Sequence, residues 1–247
     1  MAKAPPKERK SSRKPRLRGD ERRHDILSKA TALVKTKGES RVTTRLIAKE
    51  AAVSEALLFQ HFPTKDELFR EVSVIINARS PSLHEYFADV EPSSRVLIEY
   101  LYLVTYLALS PEVHARDSKL PRLLLESLLS DGHLLRTHVK RRWSLIGDLL
   151  KNSVAAAVES GHLNMPLLDV EDPASLELML SHQLVVMAHC VRFMNETPII
   201  GAELSADQMT ERTVVFILRG LGVKDGVIKR LLKPEKILAK FKAKVPL

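Results

Sequence analysis

The sequence lacks the residues needed for a disulfide framework, a cysteine-rich metal site or a membrane span. Its only cysteine is Cys190, which excludes an intramolecular disulfide and a zinc site built from several cysteines. Nine glycines in 247 residues are too few for a turn-rich β-sandwich or barrel. No run of about 18 uncharged apolar residues is present, and the basic N-terminus has no apolar signal-peptide core. We therefore expect a cytoplasmic protein that does not cross a membrane.

Positive charge is concentrated at the two ends of the chain. The net charge is +9, yet residues 71–223 contain thirteen basic and nineteen acidic side chains. Residues 1–18 hold eight Lys or Arg against one Glu, and residues 224–247 hold eight against two acids. Such ends attract polyanions, either nucleic acid or an anionic membrane, or they are simply solvated and disordered. The composition predicts a basic disordered arm over 1–18 and a basic tail over 224–247.

The spacing of apolar residues predicts helices throughout the body of the chain. From Asp20 onward, apolar residues recur at intervals of three and four, and Gly38 ends the first helix. Three further helices are predicted, starting after Thr43 or Thr44, after Ser54 and after Thr64. Longer apolar helices are expected over about 93–107, 133–160, 172–195 and 205–221. No apolar/polar alternation is long enough for a sheet, so the predicted fold class is all-α.

The segment from Thr44 to His61 has the pattern of a helix-turn-helix. Two short helices flank a turn of small residues at 51–54, and apolar residues are placed to lock the helices together. In this motif the second helix lies in the major groove of DNA. The positive N-terminal ends of helices suit phosphate, and both Thr44 and Lys65 stand at such ends. The pattern therefore predicts a DNA-binding unit near the N-terminus.

The run from Thr44 to Phe69 resembles the DNA-binding signature of TetR-type one-component regulators. The matching elements are Ile47-Ala48, Val53-Ser54, His61-Phe62 and Lys65 followed by Leu68. The resemblance implies an N-terminal three-helix helix-turn-helix domain followed by a larger helical domain for ligand binding and dimerisation. We place the DNA-binding domain at residues 19–70 and the larger domain at residues 71–223, between the arm and the tail.

Two positions depart from the usual pattern of this family. The turn has Ala52 where the family usually has glycine, which predicts either a different turn or a small strain, because glycine adopts positive φ at little cost. The second helix has Phe59 where the family usually has tyrosine. Phenylalanine has no hydroxyl to donate to a phosphate, so we expect one weaker backbone contact in each half-site.

The resemblance assigns roles in DNA binding residue by residue. It implies that Thr44 and Lys65 contact phosphate, while Arg45 is either a phosphate contact or ordinary surface. Gln60 is expected to contact adenine or phosphate, and Glu55 either accepts from a cytosine amine or is a solvated acid at a helix start. The implied DNA-binding set is Thr44, Arg45, Ser54, Glu55, Ala56, Leu57, Phe59, Gln60, His61 and Lys65.

The same resemblance implies the function and the partners. Regulators of this type bind palindromic double-stranded operators as homodimers, usually as repressors, and a small hydrophobic or amphipathic effector releases them. The basic arm Lys14–Arg18 would enter a flanking minor groove. No nucleotide-binding glycine loop, HExxH, GxSxG or paired-carboxylate pattern occurs, so no enzyme activity, cofactor or metal is expected. The alternative is a helical interaction or scaffold module that does not bind DNA.

Candidate residues for the effector pocket lie on the helices expected to surround it. They are Tyr102, Tyr106, Trp143, Met179, His182 and Met187. His182 and His189 are seven residues apart on one helix face, where they form either a metal pair or ordinary core or interfacial histidines. Apolar residues of the helices over 172–195 and 205–221 are expected to form the dimer contact or an intramolecular core.

Overall fold

The chain folds as a helical protein in all the parts that the structure describes. A computed structural model describes residues 19–77, 83–112, 120–129, 132–164, 172–193 and 203–245. Within these ranges the only β pairing is a single antiparallel bridge between Leu163 and Val223. The all-α fold class is therefore confirmed. The arm predicted over residues 1–18 lies outside the described residues.

Four helices and one 3-10 turn form the N-terminal part of the molecule. They are α1 (Gly19–Lys37), the 3-10 helix Glu39–Arg41, α2 (Thr44–Glu50), α3 (Glu55–His61) and α4 (Lys65–Asn77). α1 packs on α2 and α4, and α2 packs on α3. Their apolar faces meet in one core whose fully buried members are Ile26, Ala30, Ile47, Leu58, Phe62 and Leu68.

The remaining helices form a bundle around a central helix, α6. They are α5 (Leu83–Phe87), α6 (Ser94–Leu109), α7 (Leu120–Leu128), α8 (His133–Glu159), α9 (Pro173–Phe193), α10 (Ala206–Gly220), α11 (Asp225–Leu231) and α12 (Pro234–Lys244). α6 is almost entirely apolar and is buried because α8, α9, α10 and α12 all pack against it. Local capping starts its neighbour α10, where Ser205 and Gln208 form a reciprocal capping box.

The two parts of the molecule share side chains at their junction. Leu123 and Leu124 of α7 and Leu134 at the start of α8 are buried in the core of the N-terminal helices. The long helix α8 then continues into the bundle core through Ile146, Leu150 and Val154. One rigid helix therefore reaches from the N-terminal core to the interior of the bundle.

The basic C-terminal segment is folded, and its description as a tail was wrong. α11 and α12 bury Val227, Ile228, Ile237 and Phe241 in the bundle core. The lysines of these helices remain on the outer side, so the charge count over 224–247 concealed an amphipathic pattern. The segment is part of the larger helical unit.

An apolar stripe runs along the outer side of α9. Within the described residues, Ala174–Arg192 is long and apolar enough to cross a membrane by length and composition. The exposed apolar residues Leu180, Leu184, Met187 and Val191 recur at intervals of four, three and four. They occupy one face, whereas Leu178, Val185 and Cys190 are buried against the bundle. Such a one-sided pattern is typical of a helix that packs against another surface.

Candidate nucleic-acid interface and ligand cavity

Side-chain caps define both helices of the helix-turn-helix. The Thr43 hydroxyl oxygen accepts from the backbone N–H of Leu46 at 3.2 Å, which starts α2. The Ser54 hydroxyl oxygen accepts from the N–H of Leu57 at 3.1 Å, which starts α3. Each cap satisfies a donor that the first helical turn leaves unpaired. Ser54 is therefore a capping residue at the edge of the candidate interface.

The turn between α2 and α3 passes through a left-handed residue. Ala52 has φ of 52° and is the one non-glycine residue with positive φ in the described ranges. The turn is closed by the N–H of Val53, which donates to the carbonyl of Ala48 at 2.9 Å. Of the two outcomes expected at Ala52, the structure has the strained turn, because an alanine Cβ is crowded in this conformation.

α3 presents its polar and aromatic side chains outward on a buried base. Leu58 is fully buried, while Glu55, Ala56 and Gln60 are exposed and 39% of Phe59 is exposed. Leu57 and His61 are half-buried at the two sides of this face. Leu58 therefore fixes α3 to the N-terminal core, and the exposed side of α3 carries amide, carboxylate and aromatic groups. These groups can hydrogen-bond base edges and contact a thymine methyl.

Charged and polar side chains flank α3 at the starts of α2 and α4. The Thr44 hydroxyl donates to the Glu55 carboxylate at 3.3 Å, and the neighbouring Arg45 is exposed. Lys65 is exposed at the start of α4, with its ammonium 5.1 Å from the ring centre of Phe69. An exposed ammonium and an exposed guanidinium near the starts of the two helices next to α3 suit the phosphates that border a groove.

A buried aromatic anchors the junction of α3 and α4. Phe62 is fully buried, and the Arg23 guanidinium lies over its ring at 4.7 Å while pairing with Glu71. Because side chains of α1 and α4 meet at this ring at the end of α3, the position of α3 is fixed relative to both helices. No sequence pattern indicated a role for Arg23, which lies on α1 outside the helix-turn-helix.

The larger unit has a partly open cavity between α6, α8 and α9. Its volume is about 50 Å³, and Trp143, Met179 and His182 are in its wall. The other three pocket candidates, Tyr102, Tyr106 and Met187, are not in that wall. The rings of the two tyrosines stack with their centres 6.3 Å apart in the buried part of α6. Met187 lies in the exposed stripe of α9.

Two histidines stack beside this cavity. The rings of His138 and His182 lie 5.9 Å apart and are 21° from parallel. Burial, followed by the positive charge of Arg142, lowers the pKa of His138 to about 3 and that of His182 to about 4. Both rings are therefore neutral at pH 7. Neither His138 nor Arg142 was predicted to lie at the cavity, although their spacing of four residues places them on one face of α8.

His182 and His189, which the sequence suggested as a candidate metal pair, do not form one site. His189 donates from Nδ1 to the backbone carbonyl of Ala108 at 2.5 Å, whereas His182 lies in the cavity wall. No group of three metal-binding side chains occurs in the part of the chain that the structure describes. His189 is therefore an ordinary core histidine that is held by a backbone carbonyl.

Known proteins with related sequences match about half of this chain or less. The sequence profile of bacterial regulatory proteins of the tetR family matches residues 26–72. The nucleoid occlusion factor SlmA of Vibrio atlanticus is 32% identical over 136 residues, which cover 54% of this chain and 67% of that protein. The chain belongs to the TetR family. SlmA of Vibrio campbellii is 30% identical over 132 residues, and the chain spans 65% of its length.

Solved structures of TetR-family regulators share the fold. A regulator from Agrobacterium tumefaciens matches with a TM-score of 0.53 at 21% identity, covering 85% of this chain and 98% of that one. A proposed regulator from Rhodococcus sp. matches with a TM-score of 0.54 at 18% identity, covering 81% and 98%. This TetR-family chain therefore has the fold of the family's DNA-binding regulators across both of its helical parts.

Proposed function

We propose that the chain is a transcriptional repressor that binds a palindromic operator as a homodimer and is released by a small amphipathic effector. The observation that carries this proposal is the outer face of α3, where Glu55, Ala56, Phe59 and Gln60 project from a helix whose opposite residue, Leu58, is buried. A short helix supported in this way suits the major groove, and α3 is called the reading helix below.

Within the proposed interface, phosphate contacts and base contacts come from different side chains. Lys65 and Arg45 are placed to neutralise phosphates and so set affinity without regard to sequence. Gln60 has an exposed amide that can pair with both hydrogen-bonding groups of adenine. Phe59 adds apolar surface for a thymine methyl. Thr44 is directed toward Glu55, so its phosphate contact requires that its hydroxyl turns away from the carboxylate.

The proposed dimer contact is the exposed stripe of α9 together with Phe216 of α10. Phe216 is 68% exposed, and the stripe adds Leu180, Leu184, Met187 and Val191 on the neighbouring helix. Water contact with so many large apolar side chains is unfavourable, so a second copy of the chain is the expected cover. Two copies related by a twofold axis would also present two reading helices to a palindrome.

The proposed effector acts through the shared junction. α8 lines the cavity with Trp143 and also carries Leu134 into the core of the DNA-binding helices. A ligand that shifts α8 would move the reading helices of the dimer away from half-sites about 34 Å apart. We assign residues 19–70 to DNA binding, and the helices from residue 71 onward, with α11 and α12, to effector binding and dimerisation.

We also propose that the chain is not an enzyme and acts in the cytoplasm. The family to which it belongs consists of regulatory proteins, which supports the first statement. The apolar segment of α9 is explained by the proposed dimer contact, which supports the second.

The proposal is tested by DNA binding of the intact chain. Fluorescence anisotropy with duplexes from upstream of its own gene should detect a specific site at about 0.1 M salt. Lys65→Ala should weaken binding to all duplexes and reduce the salt slope by about one, whereas Gln60→Ala should change the preferred sequence. Lys236→Ala on α12 removes an exposed lysine far from the interface and should change neither quantity. Failure of every duplex to bind would overturn the proposal in favour of a scaffold module.

A second candidate function follows from the relatives named nucleoid occlusion factors. A role of that kind also involves DNA, but it does not require the bound sites to lie at promoters. Mapping the bound sites in cells separates the two candidates, because a repressor should occupy a few sites that overlap promoters.

A further inference from the structure

An unpaired cation lies in the wall of the mostly apolar cavity. Arg142 is half-buried on α8 and makes no hydrogen bond or ion pair within the ranges that the structure describes. A half-buried guanidinium without a counter-charge is less well solvated than one at the surface, so its donors are available to an anion. The nearby rings of His138 and His182 cannot supply that negative charge.

A second polar group in the wall also has no partner. Nε2 of His182 is buried and makes no hydrogen bond, and the ring is neutral at pH 7 because burial lowers its pKa to about 4. Ser181 is adjacent in the wall, and its hydroxyl already donates to the carbonyl of Glu177 at 2.8 Å. The neutral imidazole can donate one hydrogen bond to a ligand, in addition to the guanidinium donors of Arg142.

The rest of the wall and the volume limit the body of the ligand. Tyr100, Trp143 and Met179 are among the mostly apolar side chains that surround the cavity. Its volume of about 50 Å³ is much smaller than the roughly 150 Å³ of an apolar cavity that holds benzene. With the carboxylate at the half-exposed Arg142, an aliphatic chain of about two or three carbons therefore matches the cavity better than an aromatic ring.

The geometry points to a short-chain aliphatic monocarboxylate as the ligand of this cavity, with its carboxylate held by Arg142 and His182 and its chain against Trp143. This inference rests on the proposed effector function and gives the effector a chemical class. A carboxylate accepts two parallel hydrogen bonds from a guanidinium, which fixes its orientation as well as balancing the charge.

Trp143 allows a direct test because it is the only tryptophan in the chain and lies in the cavity wall. Its fluorescence should change in titrations with acetate, butyrate or hexanoate, and butyrate should bind at least about tenfold tighter than butyramide, its neutral analogue. Arg142→Gln should remove this preference, and butyramide should then bind as well as butyrate. Arg141→Gln changes the neighbouring exposed arginine and should leave both affinities unchanged.

The same titrations contain the results that would overturn the inference. Equal binding of butyrate and butyramide by the unaltered chain, or no response of Trp143 to any of the three acids, excludes a carboxylate site. If Arg142→Gln loses its helical circular dichroism, Arg142→Lys keeps the charge and should retain the preference for butyrate.

A separate measurement distinguishes this failure from failure of the proposed function. If the ligand-free chain binds its operator but binds none of the carboxylates, only the ligand assignment is overturned. Carboxylate binding by a chain that ignores every duplex would overturn the regulator function and leave the site intact.

Discussion

The Thr44 hydroxyl donates a hydrogen bond to the Glu55 carboxylate at 3.3 Å, which joins the first residues of α2 and α3 across the helix-turn-helix. The carboxylate is therefore occupied on the protein side, although it lies at the start of the reading helix. This contact favours a solvated, structural acid at Glu55 over a residue that reads cytosine.

Glu55→Ala should strengthen DNA binding several-fold for all duplexes. The substitution removes a negative charge beside the phosphates and frees the Thr44 hydroxyl. Anisotropy titrations with the operator and with an unrelated duplex measure both affinities. A change in the preferred base sequence would instead mean that Glu55 contacts a base.

Ala52→Gly should stabilise the protein by about 0.5–1 kcal/mol, because glycine adopts the positive φ of this turn without Cβ crowding. Urea unfolding followed by circular dichroism gives the free energy of unfolding. Ala32→Gly is the control, since Ala32 is exposed in the middle of α1. This variant should lose about 0.5–1 kcal/mol of its free energy of unfolding. Destabilisation by both substitutions would contradict a strained turn.

Acid should destabilise the protein through the two stacked histidines. Their folded-state pKa values, about 3 and about 4, lie below the ordinary histidine value, so the unfolded chain binds more protons below about pH 6.5. Stability is therefore fully present above this pH and falls as the pH drops, by about 2 kcal/mol per histidine at pH 5.

Urea unfolding of His182→Gln at pH 7 and pH 5 tests this assignment. The variant should lose about 2 kcal/mol less than the unaltered chain between the two pH values. His24→Gln changes an exposed histidine on α1 and should show the full loss. Equal losses in all three proteins would remove His182 as a cause.

Leu184→Glu should disrupt the proposed dimer, because a carboxylate in the middle of the α9 stripe would be buried at that contact without a partner charge. Sedimentation equilibrium measures the mass directly. Leu129→Glu changes a side chain that is 81% exposed and lies outside the α9 stripe, so it should leave the oligomeric state unchanged. A monomeric unaltered chain would rule out the proposed dimer.

Phe241→Ala should destabilise the protein by about 3–5 kcal/mol, since its ring is fully buried in the bundle core beside Tyr86. Lys242→Ala, the next residue on the same helix, is exposed and should change stability by less than about 0.5 kcal/mol. Thermal unfolding of the two variants compares them. A small effect of Phe241→Ala would mean that α12 does not contribute to the core.

The helix-turn-helix could be predicted from sequence because its signals are local. Thr43 and Ser54 cap helices through residues three positions ahead, and the apolar face of each helix repeats within two turns. The same local signals located α6, α8, α9 and α10 to within a few residues. Residues such as Gln60 were recognised by their position in a family pattern, and their exposure on α3 agrees with it.

The amino-acid pattern alone determined the all-α class, the starts of the main helices and the family. Packing decided the rest, because the face that a helix buries depends on partners distant in the chain. Phe241 is core and Lys242 is surface because α6 lies on one side of α12. Arg142 and His182 line one cavity because α8 packs on α9, and no pattern in the thirty-nine residues between them indicates that contact.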